Sequence, residues 1–62
     1  MYEQEINDLK KAKRDLQNIY ELCENNIGTT INDTISRAFR EIIERVTPAK
    51  SKVSIALQKY GH

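Results

Sequence analysis

Residues 25–33 of this 62-residue chain, NNIGTTIND, separate two segments that have the apolar spacing of helices. Two asparagines and then Gly28 are typical of a helix C-terminus, because glycine adopts the left-handed capping conformation without strain. Thr30 can cap a second helix, with Asp33 three residues later in a variant of the capping box. The stretch therefore predicts a turn that joins two helices.

Before this turn, apolar side chains recur at intervals of three and four over residues 2–26. This spacing predicts a first amphipathic helix. Its apolar side chains are Tyr2, Ile6, Leu9, Ala12, Leu16, Ile19, Tyr20 and Cys23. Four of them are seven residues apart, which is the coiled-coil interval: Tyr2, Leu9, Leu16 and Cys23.

After the turn, residues 30–46 have the same kind of spacing and predict a second helix. Its apolar side chains cover an arc of about 140° on a helical wheel, and its charged side chains lie opposite. The apolar side chains are Ile31, Ile35, Ala38, Phe39, Ile42, Ile43 and Val46. Arg37, Glu41 and Arg45 follow one another at intervals of four, which favours ion pairs along the exposed side.

Pro48 interrupts this pattern. The residue before a proline is disfavoured in the α conformation, so we expect the second helix to end near Val46. Thr47 followed by Pro48 is also a favourable helix start, which predicts a third helix over residues 48–60. The alternative is a kinked continuation of the second helix, at a cost of about 3 kcal/mol for a proline in a helix interior.

We therefore predict that residues 1–62 form one small all-α domain, a helical hairpin with a short third helix, similar to a three-helix bundle. A chain of this length buries only about 60% of its unfolded surface, so a monomer is marginally stable. The first helix, at roughly 36 Å, is also longer than the second, at roughly 25 Å. These features predict a homodimer that covers the unmatched length. A monomeric three-helix bundle with a frayed first turn is the alternative.

The predicted self-association surface lies on the first helix. It comprises Tyr2, Ile6, Leu9, Lys13 and Leu16. Lys13 is a lysine on the apolar side, where it can specify register or oligomer order. Alternatively its stem crosses the edge of the core and its ammonium stays in water. A basic cluster of Lys10, Lys11, Lys13 and Arg14 can contact an acidic partner, although the flanking Asp8 and Asp15 favour a self-neutralised surface.

The composition excludes several classes of protein. One cysteine and one histidine provide neither a disulfide nor a metal-ligand set, and no cofactor is expected. The apolar runs are far shorter than the about 20 residues of a membrane span, and residues 1–25 are too charged for a signal peptide. A lone cysteine fits a reducing compartment, so we expect a cytoplasmic protein without membrane contact.

Catalysis is not expected. Cys23 has no neighbouring base, because the only histidine ends the chain, and we predict that it is a small buried apolar side chain. The carboxylate pairs Glu21–Glu24 and Glu41–Glu44 lack the histidine that accompanies such pairs in the metal sites of helix bundles.

The chain ends with a stretch free of acidic residues, from Arg45 to His62. Positive charge in the first turn of the proposed third helix opposes the helix dipole, which suggests an anion site for a partner. The predicted partner-binding residues are Lys50, Lys52, Ile55 and Lys59, with Ile55 as an apolar centre. Alternatively, the first helix, in which acids outnumber bases by six to four over residues 1–26, neutralises these lysines.

These features favour a small non-catalytic interaction module, such as an adaptor, inhibitor or assembly factor, that acts as a homodimer through amphipathic helices. The expected outside partner is a protein with an acidic or apolar groove. The alternative is a small DNA- or RNA-binding regulator that uses the basic C-terminal helix, mainly for phosphate contacts. The abundance of Ile, Asn, Lys and Glu suits an AT-rich bacterial or phage genome.

Overall fold

A computed structural model of the chain describes residues 2–60. It contains two long helices, α1 (Glu3–Thr29) and α2 (Asp33–Tyr60), joined by residues 30–32. The helices pack side by side in an antiparallel hairpin with extents of 48 × 15 × 12 Å. The prediction of an all-α helical hairpin is confirmed. Neither described helix has an apolar stretch long enough to cross a bilayer.

Helix α1 continues past its predicted end. It includes Gly28 and ends at Thr29, and no described glycine has a positive φ, so the predicted role of Gly28 as a left-handed cap is wrong. The helix ends with a backbone hydrogen bond, which the N–H of Thr30 donates to the carbonyl oxygen of Asn26 at 2.9 Å. Two side chains also bond back to the preceding turn: Asn26 Nδ2 donates to the carbonyl oxygen of Leu22 at 2.8 Å, and Thr29 Oγ1 donates to that of Asn25 at 3.1 Å. The residue types that suggested a stop therefore belong to the last turns of the helix.

Helix α2 begins later than predicted. The N-cap is Asn32, whose Oδ1 accepts a hydrogen bond from the backbone N–H of Ile35 at 3.1 Å. Thr30, the predicted cap, is extended and its Oγ1 accepts from the N–H of Asn32 at 3.2 Å. The predicted start at residue 30 is therefore wrong, because asparagine is at least as good an N-cap as threonine and takes that position.

Pro48 does not divide α2. Residues 30–46 and 48–60, predicted as separate helices, belong largely to one helix that runs from Asp33 to Tyr60. No separate third helix is present among residues 2–60, since α2 continues through Pro48 as in the alternative. With 28 residues α2 matches the 27 of α1, so the predicted difference in helix length is wrong. Pro48 and Glu44 are both exposed, so water can hydrate the Glu44 carbonyl that lacks its helical donor. Thr47 Oγ1 also donates to the carbonyl oxygen of Ile43 at 2.8 Å.

The interhelical interface is narrow. Of residues 2–60, only Cys23 and Val46 are buried, at 2% and 8% exposure. The burial of Cys23 was predicted and is confirmed. The large apolar side chains that are half-buried between the helices include Ile6, Leu9, Leu16, Ile27, Phe39, Ile43, Val53 and Leu57. Two helices alone therefore leave most of their apolar side chains in partial contact with water.

The accessible surface area of the chain quantifies this incomplete burial. It is 5157 Å², whereas a compact monomer of the same mass exposes about 4,100 Å². The hairpin thus exposes about 1,000 Å² more surface than a compact monomer of that mass. This excess follows from an elongated shape with only one layer of interhelical contact.

Candidate interaction surfaces

The hairpin has two long sides with different chemistry. Ile19 and Tyr20 are consecutive, and the rotation of about 100° between them sends them to opposite sides of the interhelical interface. Lys50 of α2 lies on the Tyr20 side, with its Nζ 4.4 Å from the centre of the Tyr20 ring. In an antiparallel pair, residues that immediately precede interface positions share one side, so Ile42, which precedes Ile43, lies on the Ile19 side.

The Ile19 side carries a set of exposed apolar side chains, which we call the apolar face. Its members are Ile19, Leu22, Ile35, Ala38 and Ile42. Those of α2 are spaced i, i+3, i+7 and those of α1 i, i+3, so each set forms a stripe. Water reaches between 40% (Ile42) and 59% (Leu22) of the large members. Large apolar side chains grouped on two helices mark an interaction surface.

Charged residues border the apolar face. A shallow groove of about 310 Å³ at Ala38 and Ile42 is also lined by Glu41 and Arg45. Arg45 Nη2 lies 3.2 Å from Glu41 Oε1, the i, i+4 pair expected from the sequence. These side chains are 81% and 64% exposed, so the ion pair contributes at most about 1 kcal/mol. It supplies the polar rim typical of an interaction surface.

The Tyr20 side carries a groove with two adjoining parts. One part, of about 510 Å³, is lined by Tyr20 and by the α2 residues Thr47, Lys50, Ser51, Ser54 and Ile55. The other, of about 290 Å³, is lined by Lys50 and Ser54 together with polar and basic residues of α1. The cations of the two parts are Lys10, Lys13, Arg14 and Lys50, and we call this surface the basic groove.

Positive charge in the basic groove is not neutralised locally. None of its four cations forms an ion pair with a carboxylate of residues 2–60. Asp8 and Asp15, which flank the basic cluster in sequence, do not line either part. Lys13 and Lys50 face the groove from different helices, so like charges converge. This arrangement costs free energy and produces a positive potential.

The positive surface ends near the turn. Glu24 follows Tyr20 by one helical turn, and its carboxylate raises the pKa of the phenol above the usual 10.0, first by hydrogen bonding and then by its charge. Gln17, which lines the groove, donates from Nε2 to Glu21 Oε1 at 3.2 Å. Two carboxylates therefore limit the length of the cationic surface.

At the open end of the hairpin, opposite to the turn, two aromatic rings are in contact. The rings of Tyr2 and Tyr60 lie 5.9 Å apart at 61°, an edge-to-face contact. Together with Glu5, Ile6 and Leu9 they line a cavity of about 220 Å³. Both tyrosines are about half exposed, at 54% and 51%, so this contact covers the end of the interface only in part.

The residues predicted for self-association are not gathered on one free surface. Ile6, Leu9 and Leu16 are half-buried against α2. Tyr2 is at the open end, and Lys13 lines the basic groove. The apolar face was not predicted as an interface. Its signal in the sequence was the apolar arc of the second segment, because an arc of about 140° is wider than one neighbouring helix covers.

The structure divides the residues predicted for partner binding. Lys50 and Ile55 line the basic groove, whereas Lys52 and Lys59 do not. Lys59 Nζ lies instead 5.5 Å from the centre of the Tyr60 ring. Contact of the α1 basic cluster with an acidic partner was an alternative from the sequence, but its sharing of one groove with Lys50 was not predicted, because nothing local in the sequence connects the two.

The two surfaces provide apolar side chains on one side of the hairpin and positive charge on the other. Within the described residues, no three side chains of His, Cys, Asp or Glu are grouped to hold a metal ion. Comparison of the chain with protein-family models, curated proteins and solved structures found no match.

Proposed function

We propose that this chain is a non-catalytic protein–protein interaction module that acts as a homodimer, with the apolar faces of two hairpins packed together as a four-helix bundle. The observation that carries the proposal is the incomplete burial of the hairpin. Only two side chains of residues 2–60 are buried, while large apolar side chains of both helices are exposed on one side. We place the module in the cytoplasm, where a lone thiol such as Cys23 stays reduced.

The exposed area matches what a dimer needs. Each chain exposes about 1,000 Å² beyond a compact monomer of its mass, so pairing two chains can bury about 2,000 Å² in total. That total is at the upper end of specific protein–protein interfaces, about 1,200–2,000 Å², and at the lower end of obligate homodimer interfaces. The excess is therefore accounted for by one additional hairpin.

A second copy also fits the shape of the surface. The apolar face draws on both helices of a body 48 Å long, so its partner must be elongated and apolar along one side. Another hairpin has that shape, and a two-fold axis would place the same side chains opposite one another. Four helices then surround one core, as in antiparallel bundles. The proposal thus moves self-association from the first helix to the apolar face.

The test is the mass in solution over a concentration series, measured by sedimentation equilibrium. We expect a dimer for the natural chain and a monomer for Ile35→Asp/Ile42→Asp, with the dissociation constant raised more than about 100-fold by two carboxylates in the interface. Ile55→Asp is the matched control, because Ile55 is 63% exposed on the basic groove side. It should leave the dimer intact.

A natural chain that stays monomeric at high micromolar concentration contradicts the proposal. So does equal weakening of the dimer by Ile35→Asp/Ile42→Asp and by Ile55→Asp. The nucleic-acid alternative has less support: residues 48–60 belong to a helix packed on α1, and Lys50 and Lys52 do not line the same groove. It predicts heparin retention that Lys50→Glu/Lys52→Glu abolishes.

A further inference from the structure

We infer that the basic groove binds a short acidic segment of a partner polypeptide. The groove lies on the side of the hairpin opposite to the apolar face, so it stays accessible in the proposed dimer. It also belongs to a single chain, with cations from both helices. The inference therefore goes beyond the proposed function and does not depend on it.

The first support is the position of two of the lysines. Lys13 occurs on α1 seven residues before Tyr20, and Lys50 occurs on α2 four residues after Val46, both at heptad positions where apolar residues usually pack. Lys50 is half-buried and is held over the Tyr20 ring at 4.4 Å. Lys13 is exposed and Lys50 half-buried, and neither has a carboxylate partner among residues 2–60, so their repulsion costs stability that a bound anion would offset.

The second support is the composition of the lining. Both parts of the groove contain cations and hydroxyls and no carboxylate, and the second part also contains the amides of Gln17 and Asn18. Ser51 and Ser54 offer hydroxyl donors beside Lys50. Carboxylates bind such groups through charge-assisted hydrogen bonds.

The third support is the limited length of the cationic surface, which favours a peptide over a nucleic acid. The α1 cations begin at Lys10 and the carboxylates of Glu21 and Glu24 follow, so about 15 Å of helix carries the positive surface. A longer polyanion would run its phosphates against those carboxylates. Ile55 also lines the groove and is 63% exposed, which suits an apolar side chain among the acidic ones.

The test uses fluorescence anisotropy with a labelled peptide of about ten residues, rich in glutamate and with one central leucine. The control peptide has glutamine in place of each glutamate, and a single-stranded oligonucleotide of equal charge is the competing polyanion. We expect the full-length chain to bind the acidic peptide, to bind the glutamine peptide at least about tenfold more weakly, and to lose affinity between about 50 and 300 mM salt.

Matched charge variants locate the site. Lys13→Glu/Lys50→Glu should weaken peptide binding at least about tenfold, whereas Lys52→Glu/Lys59→Glu, with the same change in net charge, should alter it less than about twofold. Lys13→Gln/Lys50→Gln repeats the test without added acids, and circular dichroism checks that each variant is helical. Ile35→Asp/Ile42→Asp should bind the peptide normally, which separates this site from the dimer.

Three results would overturn the inference. The first is equal binding of the acidic and glutamine peptides by the natural chain, or no binding of either. The second is equal weakening by the two pairs of lysine variants, which would indicate general charge attraction. The third is tighter binding of the oligonucleotide than of the peptide, which would assign the groove to nucleic acid.

Discussion

The two long sides of this hairpin are built from interleaved positions of the same helices, yet one is apolar and the other cationic. Ile19 and Tyr20 are neighbours in sequence, and so are Ala49 and Lys50, but within each pair the residues lie toward different sides. On the apolar side, exposure of isoleucines costs free energy that association can recover. On the cationic side, lysines of both helices face one groove without a carboxylate partner among residues 2–60, and a bound anion would reduce their repulsion. In the proposed function, the apolar side serves assembly and the cationic side serves recognition.

The largest expected effect is the loss of stability caused by a charge on the apolar face. Ile42→Asp should lower the free energy of unfolding by about 3 kcal/mol at dimer-forming concentrations, since it removes a packed side chain and adds a charge to the interface. Urea denaturation at one fixed chain concentration measures it. Ile55→Asp, on the other side, should change stability by less than about 0.5 kcal/mol. Equal losses in the two variants would mean that the sides do not differ in burial.

The next effect concerns the stability of α2 at Pro48, which lines neither the apolar face nor the basic groove. Pro48 is exposed and withholds one backbone donor from α2, so Pro48→Ala should raise the free energy of unfolding by about 2 kcal/mol. Thermal denaturation followed by circular dichroism measures this gain. Lys52→Ala, also exposed in α2, serves as the control and should change stability by less than about 0.5 kcal/mol. A destabilised Pro48→Ala variant would show that proline shapes a bend both surfaces need.

A smaller effect is the gain in stability expected when a cation is removed from the basic groove. Lys13→Leu should stabilise the chain by about 1 kcal/mol, because it removes a like charge facing the same groove as Lys50 and adds apolar contact at the edge of the interface. The same change should weaken binding of the acidic peptide. Lys11→Leu is the matched control, since Lys11 is exposed and does not line the groove. Stabilisation by both variants alike would place Lys13 outside the interface.

The smallest effect concerns Tyr20 at the end of the basic groove. Its pKa is raised above 10.0 by Glu24, so the folded state holds the phenolic proton more tightly than the unfolded state. The resulting stabilisation is present below pH 10.0 and is lost as the pH rises through the raised pKa. Glu24→Gln should lower that pKa, as measured by tyrosinate absorbance after subtraction of the Tyr20→Phe titration. An unchanged midpoint would exclude Glu24 as the cause.

The hairpin itself was predictable because helix periodicity and turn chemistry are local properties. The spacing of Ile6, Leu9, Leu16 and Cys23 predicted which side of α1 meets α2, and these side chains are buried or half-buried there. The limits of the helices were less predictable. Asn26 and Thr29 have side chains that can either end a helix or extend its last turn, and only the competing hydrogen bonds determine which occurs.

The continuity of α2 could not be derived from residue types. The local penalty at Pro48 favours a break, whereas packing of Val46 before it and Val53 after it on α1 favours one continuous helix. Tertiary packing exceeds the local penalty here. The basic groove was equally hidden, because Lys13 and Lys50 are far apart in sequence and meet only when the hairpin closes. The apolar face had a local signal, the width of the apolar arc in residues 31–46.

The unequal burial along the hairpin sets the order in which its backbone opens. Of the two buried side chains of the described residues, Cys23 lies six residues before the end of α1 and Val46 lies near the middle of α2. The end of the hairpin opposite to the turn is held by the half-exposed rings of Tyr2 and Tyr60. Amide protons should therefore exchange with solvent deuterium fastest near those tyrosines and slowest around Cys23 and Val46. Fraying then starts at the end where α1 begins and α2 ends, and the part of the hairpin nearer the turn separates last.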